Sequence, residues 1–131
     1  MKQIVLFGML MMIFISCKKD NQPDSAVDGL YKGTFKRYSQ SGSQTSEVTL
    51  DLDYPNWTGS SSVPKYPALS YGRFSAEDEI LKFTNTSAWT ADFDWTLILN
   101  GAYQNMGNGD SLIFTKSYAN GNVDVYKLKK Q

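Results

Sequence analysis

Hydrophobic and polar positions alternate with a period of two along most of the chain, and they begin to do so at Gly29. Tyr31, Gly33 and Phe35 fall on one side of the first such segment, and Lys32, Thr34 and Lys36 on the other, the pattern of a strand with one buried face. A second segment sets Val48, Leu50, Leu52 and Tyr54 against Glu47, Thr49, Asp51 and Asp53, and the polar stretch from Ser39 to Gln44 joins the two as a hairpin. Pro55, Pro64 and Pro67 bracket a Ser-rich loop that contains Trp57. Phe93, Trp95, Leu97 and Leu99 alternate up to Asn100-Gly101, a pair suited to a tight hairpin, with Trp95 on the core side. Gly107-Asn108-Gly109 and Asn120-Gly121-Asn122 mark two further turns.

The pattern predicts eight strands, at 29–38, 45–54, 68–75, 79–84, 93–99, 102–106, 111–117 and 122–129. An even number lets the last strand pair antiparallel with the first. The expected fold is therefore all-β, an eight-stranded antiparallel up-and-down barrel, which removes both exposed sheet edges; the alternative is a β-sandwich, with 55–67 and 85–92 as its crossing connections. Alternation along such a meander groups the loops 39–44, 76–79, 100–101 and 118–122 at one end, and 55–67, 85–92 and 107–110 at the other.

A different pattern precedes the strands. Lys2 leads into an unbroken apolar run from Ile4 to Ile15, shorter than the roughly 20 residues a membrane-spanning helix needs, followed by small Ser16 and then Cys17. This is the layout of an export signal over residues 1–16. Phe14-Ile15-Ser16-Cys17 resembles the lipobox of bacterial lipoproteins, which implies that Cys17 receives a diacylglycerol and becomes the first residue after cleavage. Residues 17–28 are then the lipidated Cys and a polar tether, and 29–131 the β-barrel domain. The expected location is the cell envelope, lipid-anchored to the outer membrane on its periplasmic or surface face.

Gly29-x-Tyr31-x-Gly33-x-Phe35 on the first strand, with a meander that ends in Tyr126-x-Leu128, resembles the small lipocalin-like, calycin-type lipoproteins of the Bacteroidetes group. The resemblance implies a membrane-anchored, lipocalin-like binding protein for a small apolar or amphipathic ligand, without catalysis. Gly33-Thr34-Phe35 stands where lipocalins have Gly-x-Trp, and about 100 residues in eight short strands make a narrow barrel that side chains alone can fill. A filled barrel acting as an interaction, inhibitor or structural lipoprotein of the envelope is the second reading. Asp24-Ser25-Ala26 resembles the short O-glycosylation acceptor of the same group, which implies modification at Ser25.

Composition narrows the chemistry. The chain has no His and only one Cys, so the commonest general base and the usual zinc ligands are missing. No cofactor, metal or catalytic residue is expected: Asp51-x-Asp53, Glu77-Asp78-Glu79 and Asp92-x-Asp94 read as a solvated strand face and turns. Without Lys2, twelve basic residues face thirteen acidic ones, which supplies no basic field for nucleic acid. The aromatics carry the remaining signal. Trp57 and Trp89, in or beside the two longest loops, with Tyr66 and Tyr103, are the expected residues for a small ligand or an envelope protein.

Overall fold

The computed structural model describes residues 24–131. The signal, Cys17 and most of the tether lie outside the described residues, while Ser25 falls on a short 3₁₀ turn, Asp24–Val27. Eight strands follow: β1 (Gly29–Ser39), β2 (Gly42–Asp53), β3 (Asn56–Ser61), β4 (Tyr71–Glu77), β5 (Ile80–Asn85), β6 (Gly101–Asn105), β7 (Ser111–Ser117) and β8 (Val123–Lys130). Each pairs antiparallel with the next, and β8 closes on β1 with Gly33 opposite Leu128 and Phe35 opposite Tyr126. The fold is the expected closed up-and-down barrel rather than a sandwich.

Two strands differ from the sequence reading, and their errors cancel in the count. Asn56–Ser61 is a strand, not a loop: Trp57 points inward, and the inward position after it is Gly59, where an added Cβ would lie 3.3 Å from both Leu50 and Leu69. Because larger neighbours fill that inward position, the segment carries little apolar signal of its own. Residues 93–99 are not a strand. Asp94 caps a 3₁₀ turn, Trp95–Leu97, by accepting a hydrogen bond from the Thr96 N–H, and Leu97, Ile98 and Leu99 are buried in succession. The stretch is instead pinned to the loop before β4, where Ala68 N–H donates to Leu97 O at 2.9 Å and Leu99 N–H to Ala68 O at 3.3 Å. Asn100-Gly101 accordingly makes no hairpin; Gly101, at φ +102°, opens β6.

The corrected strands regroup the loops. Residues 40–41, 62–70, 86–100 and 118–122 share one end, which we call the loop end; 54–55, 78–79 and 106–110 share the other with the Asp24–Val27 turn, whose Val27 packs on the core and accepts a hydrogen bond from the Tyr31 hydroxyl. Between the ends the barrel is full. Phe114 and Tyr126 stack at 4.4 Å, Phe35 meets Tyr126 at 4.8 Å, Phe83 meets Phe114 at 5.3 Å, and Trp57 meets Phe83 edge-on at 6.1 Å. Close approach of the wall at the β1–β8 seam depends on Gly33, where a Cβ would sit 1.9 Å from Lys127 O.

Candidate functional site

At the loop end the inward face of the barrel turns polar. On β1 the inward series Tyr31, Gly33, Phe35 continues to Arg37, and on β8 the series Leu128, Tyr126 continues to Asp124; the strand register sets these two charges directly opposite one another. Both are buried, and they form a two-pronged pair, Nε to Oδ1 at 2.6 Å and Nη2 to Oδ2 at 2.8 Å. The other guanidinium protons reach loop 86–100: Nη1 donates to Asp94 Oδ2 at 3.1 Å and to Thr96 Oγ1 at 2.9 Å, and Nη2 donates to Thr96 O at 3.2 Å. The Tyr118 hydroxyl lies 2.9 Å from Asp124 Oδ2 and 3.0 Å from Thr96 O, and its ring covers the guanidinium at 5.1 Å.

The electrostatics follow from this packing. Hydrogen bonding to Asp124 outweighs burial and holds the Arg37 pKa above its ordinary value. Burial, and then the charge of Asp124, push the Tyr118 phenol up to about 12. Asp94 is held below the usual carboxylate range, first by the Thr96 hydroxyl and then, against its partial burial, by the Thr96 N–H and Arg37. A second clamp lies at the surface, where Lys65 Nζ reaches Asp92 at 2.9 Å and Thr90 at 3.1 Å. Asp92 is also lowered, first by the hydrogen bond from Thr90 and then by that from Lys65.

Loop 86–100 is thus fastened along its length, and a concavity lies on either side of it. One, of about 620 Å³, has Arg37, Asp94 and Leu97 at its base and is walled by Tyr66, by the β1–β2 hairpin and by Asn120 and Asn122 of the β7–β8 hairpin. The other, of about 390 Å³, is lined by Trp89, Trp95, Ile98, Asn85, Ser87 and Asn100, with Ala88.

The four aromatics expected to bind divide into two pairs. Tyr66 and Trp89 reach the loop end, one in each concavity. Trp57 and Tyr103 do not: both are 1% exposed, because each occupies an inward position of its strand, and they pack into the aromatic core. Trp95, expected in the core, is instead 56% exposed. Sequence reading missed Arg37, Asp94, Thr96, Tyr118 and Asp124; the available signal was the inward parity of Arg37 and Asp124. Asp51 and Asp53 lie on the outer face of β2 and Glu77–Glu79 at the β4–β5 turn, and among the described residues no three acidic, His or Cys side chains come together as a metal site. Comparison with protein-family models, with curated proteins and with solved structures gives no match to this chain.

Proposed function

We propose that the chain is a lipid-anchored, non-catalytic binding module of the cell envelope, in which a filled, lipocalin-like barrel is the scaffold and the loop end around residues 86–100 meets the partner. The observation that carries this reading is where the aromatic side chains are spent. Phe35, Trp57, Phe83, Tyr103, Phe114 and Tyr126 fill the interior at no more than 2% exposure, so an apolar ligand has no room among them, whereas Trp95 stands more than half exposed on a fastened loop. The anchor fits the same picture. The chain enters the barrel through Asp24–Val27, at the end opposite loop 86–100, so a tether running back to Cys17 leaves the loop end facing away from the membrane.

Native mass spectrometry of the full chain, purified without refolding, tests the choice between interior and loop end. The expected spectrum holds no lipid-sized adduct, and a fluorescent fatty acid leaves the emission of the protein unchanged. A recurrent apolar mass that is lost on denaturation would overturn the loop-end reading in favour of a ligand held inside the barrel. The positive arm places a photo-crosslinker at position 95 and, as a control, at Thr49 on the outer wall; adducts are expected from position 95 alone.

A further inference from the structure

We propose that the groove between Trp89 and Trp95 binds a neutral saccharide. This rests on the binding-module reading above and names its ligand class.

Both indoles are held in place without a ligand. Trp95 Nε1 donates to Thr90 O at 2.8 Å, and Trp89 Nε1 donates to Asn85 Oδ1 at 3.1 Å while its ring packs edge-on against Phe93 at 5.7 Å. With both N–H groups spent on protein acceptors, the indoles offer the groove carbon, to which Ile98 and Ala88 add more. Amides and hydroxyls stand beside that carbon. Asn100 Oδ1 accepts from the Asn85 backbone N–H at 3.0 Å, and among the described residues its Nδ2 has no partner.

The groove is lined by no ionisable side chain. The charges nearest along the loop are already matched, Asp92 to Lys65 and Asp94 to Arg37, and Lys116, whose Nζ donates to Asn100 O at 3.1 Å, lies outside the lining over the Tyr103 and Tyr118 rings. A phosphate, carboxylate or ammonium group would find no counter-charge within the lining itself. Asn85 and Ser87 already bond one another, Asn85 Nδ2 to Ser87 O and Ser87 Oγ to Asn85 Oδ1, both at 2.8 Å, so an acyl chain would cover the indoles but leave the Asn100 Nδ2 unpaired. A pyranose meets both demands, because its C–H surface packs against aromatic carbon while its rim of hydroxyls exchanges hydrogen bonds with amides. The volume, about 390 Å³, lies at the small end of ligand sites and suits a sugar unit of a longer chain lying across an open groove. Because the loop is fastened beforehand, little ordering is left for the ligand to bring about.

Tryptophan fluorescence of the full chain, titrated with linear gluco-, manno-, xylo- and galacto-oligosaccharides and with uronic-acid oligomers as a charged contrast, tests the proposal. At least one neutral oligomer is expected to shift the emission saturably, and Trp95→Ala to weaken that binding by about tenfold or more with the melting curve unmoved. Trp95→Phe, which keeps a ring, should fall between and serves if the alanine variant folds poorly. Binding that survives Trp95→Ala, binding by the uronic oligomers alone, or no response to any neutral oligomer overturns the saccharide. If no sugar binds yet the crosslinker at position 95 traps an envelope protein, the saccharide falls and the binding module stands; if neither engages this face, both fall.

Discussion

Arg37 and Asp124 neutralise one another inside the barrel mouth; the second carboxylate on Arg37, Asp94 at 3.1 Å, is more than half exposed and so screened by water, and among the described residues Asp124 has no other cation in contact. A buried ion pair contributes little over an apolar pair of the same volume, whereas one partner left alone keeps an uncompensated buried charge. Asp124→Asn is therefore expected to lower unfolding free energy by about 3 kcal/mol, and Arg37→Met with Asp124→Leu to restore most of that loss, as read from urea denaturation midpoints. The pair was half legible in the chain. Arg37 continues the inward series of Tyr31 and Phe35, and Asp124 that of Tyr126 and Leu128, so parity alone marks both as buried charges of opposite sign. What parity lacks is the register across the closing seam, which no local pattern carries. The same parity, applied to Trp57 and Tyr103 once their strands are bounded correctly, sends both inward and leaves half-buried Trp89 and exposed Trp95 at the loop end.

Loop 86–100 behaves as an element although it has almost no regular structure, because its carboxylates are held at both flanks. Asp94 lies below the usual carboxylate range through Thr96 and Arg37, so its contribution to holding the loop is present above about pH 4, where an unfolded Asp ionises, and is lost as pH falls through its lowered folded value. Asp92, fully exposed, adds in the same direction through Thr90 and Lys65. Hydrogen exchange, corrected for intrinsic rates, should accordingly show the amides of Leu97 to Leu99 losing protection on acidification before those of β1 and β8 do. Asp94→Ala should give the same loss at neutral pH, and equal protection in the variant and the parent would rule the clamp out. This loop is also where sequence reading went furthest astray. Phe93, Trp95, Leu97 and Leu99 have the spacing of a strand, but the cap at Asp94, which accepts from the Thr96 N–H, sets the backbone first, and the missed β3 was hidden by a glycine at an inward position. Period-two patterning reports faces, and it fails where a cap or a gap-filling neighbour decides instead.

At the scale of the whole molecule, closure of the barrel buries three phenols, at Tyr31, Tyr103 and Tyr126, and half-buries a fourth, at Tyr118, and desolvation raises each pKa above the value near 10 of a free tyrosine. Above pH 10 the unfolded chain sheds protons that the barrel retains, so stability must fall as pH rises from about 10 toward about 12, the value reached by Tyr118. Tyr118→Phe removes one of these titrations and should flatten that fall, seen as a urea midpoint that changes less between those limits. Closure also fixes the end at which the chain enters the barrel. With the strands in sequence order and even in number, the chain enters and leaves at the end opposite loop 86–100. Only residues 17–23 separate Cys17 from the Asp24–Val27 turn, a contour of at most roughly 25 Å, and under the proposed anchor the loop end would be outermost. The orientation depends on a lipid at Cys17, and that can be tested directly: the parent chain should fractionate with membranes and incorporate labelled palmitate, and Cys17→Ser should lose the label. A Cys17→Ser chain that still carries palmitate, or a parent that never does, would remove the anchor, leaving the loop end a binding face with no fixed direction.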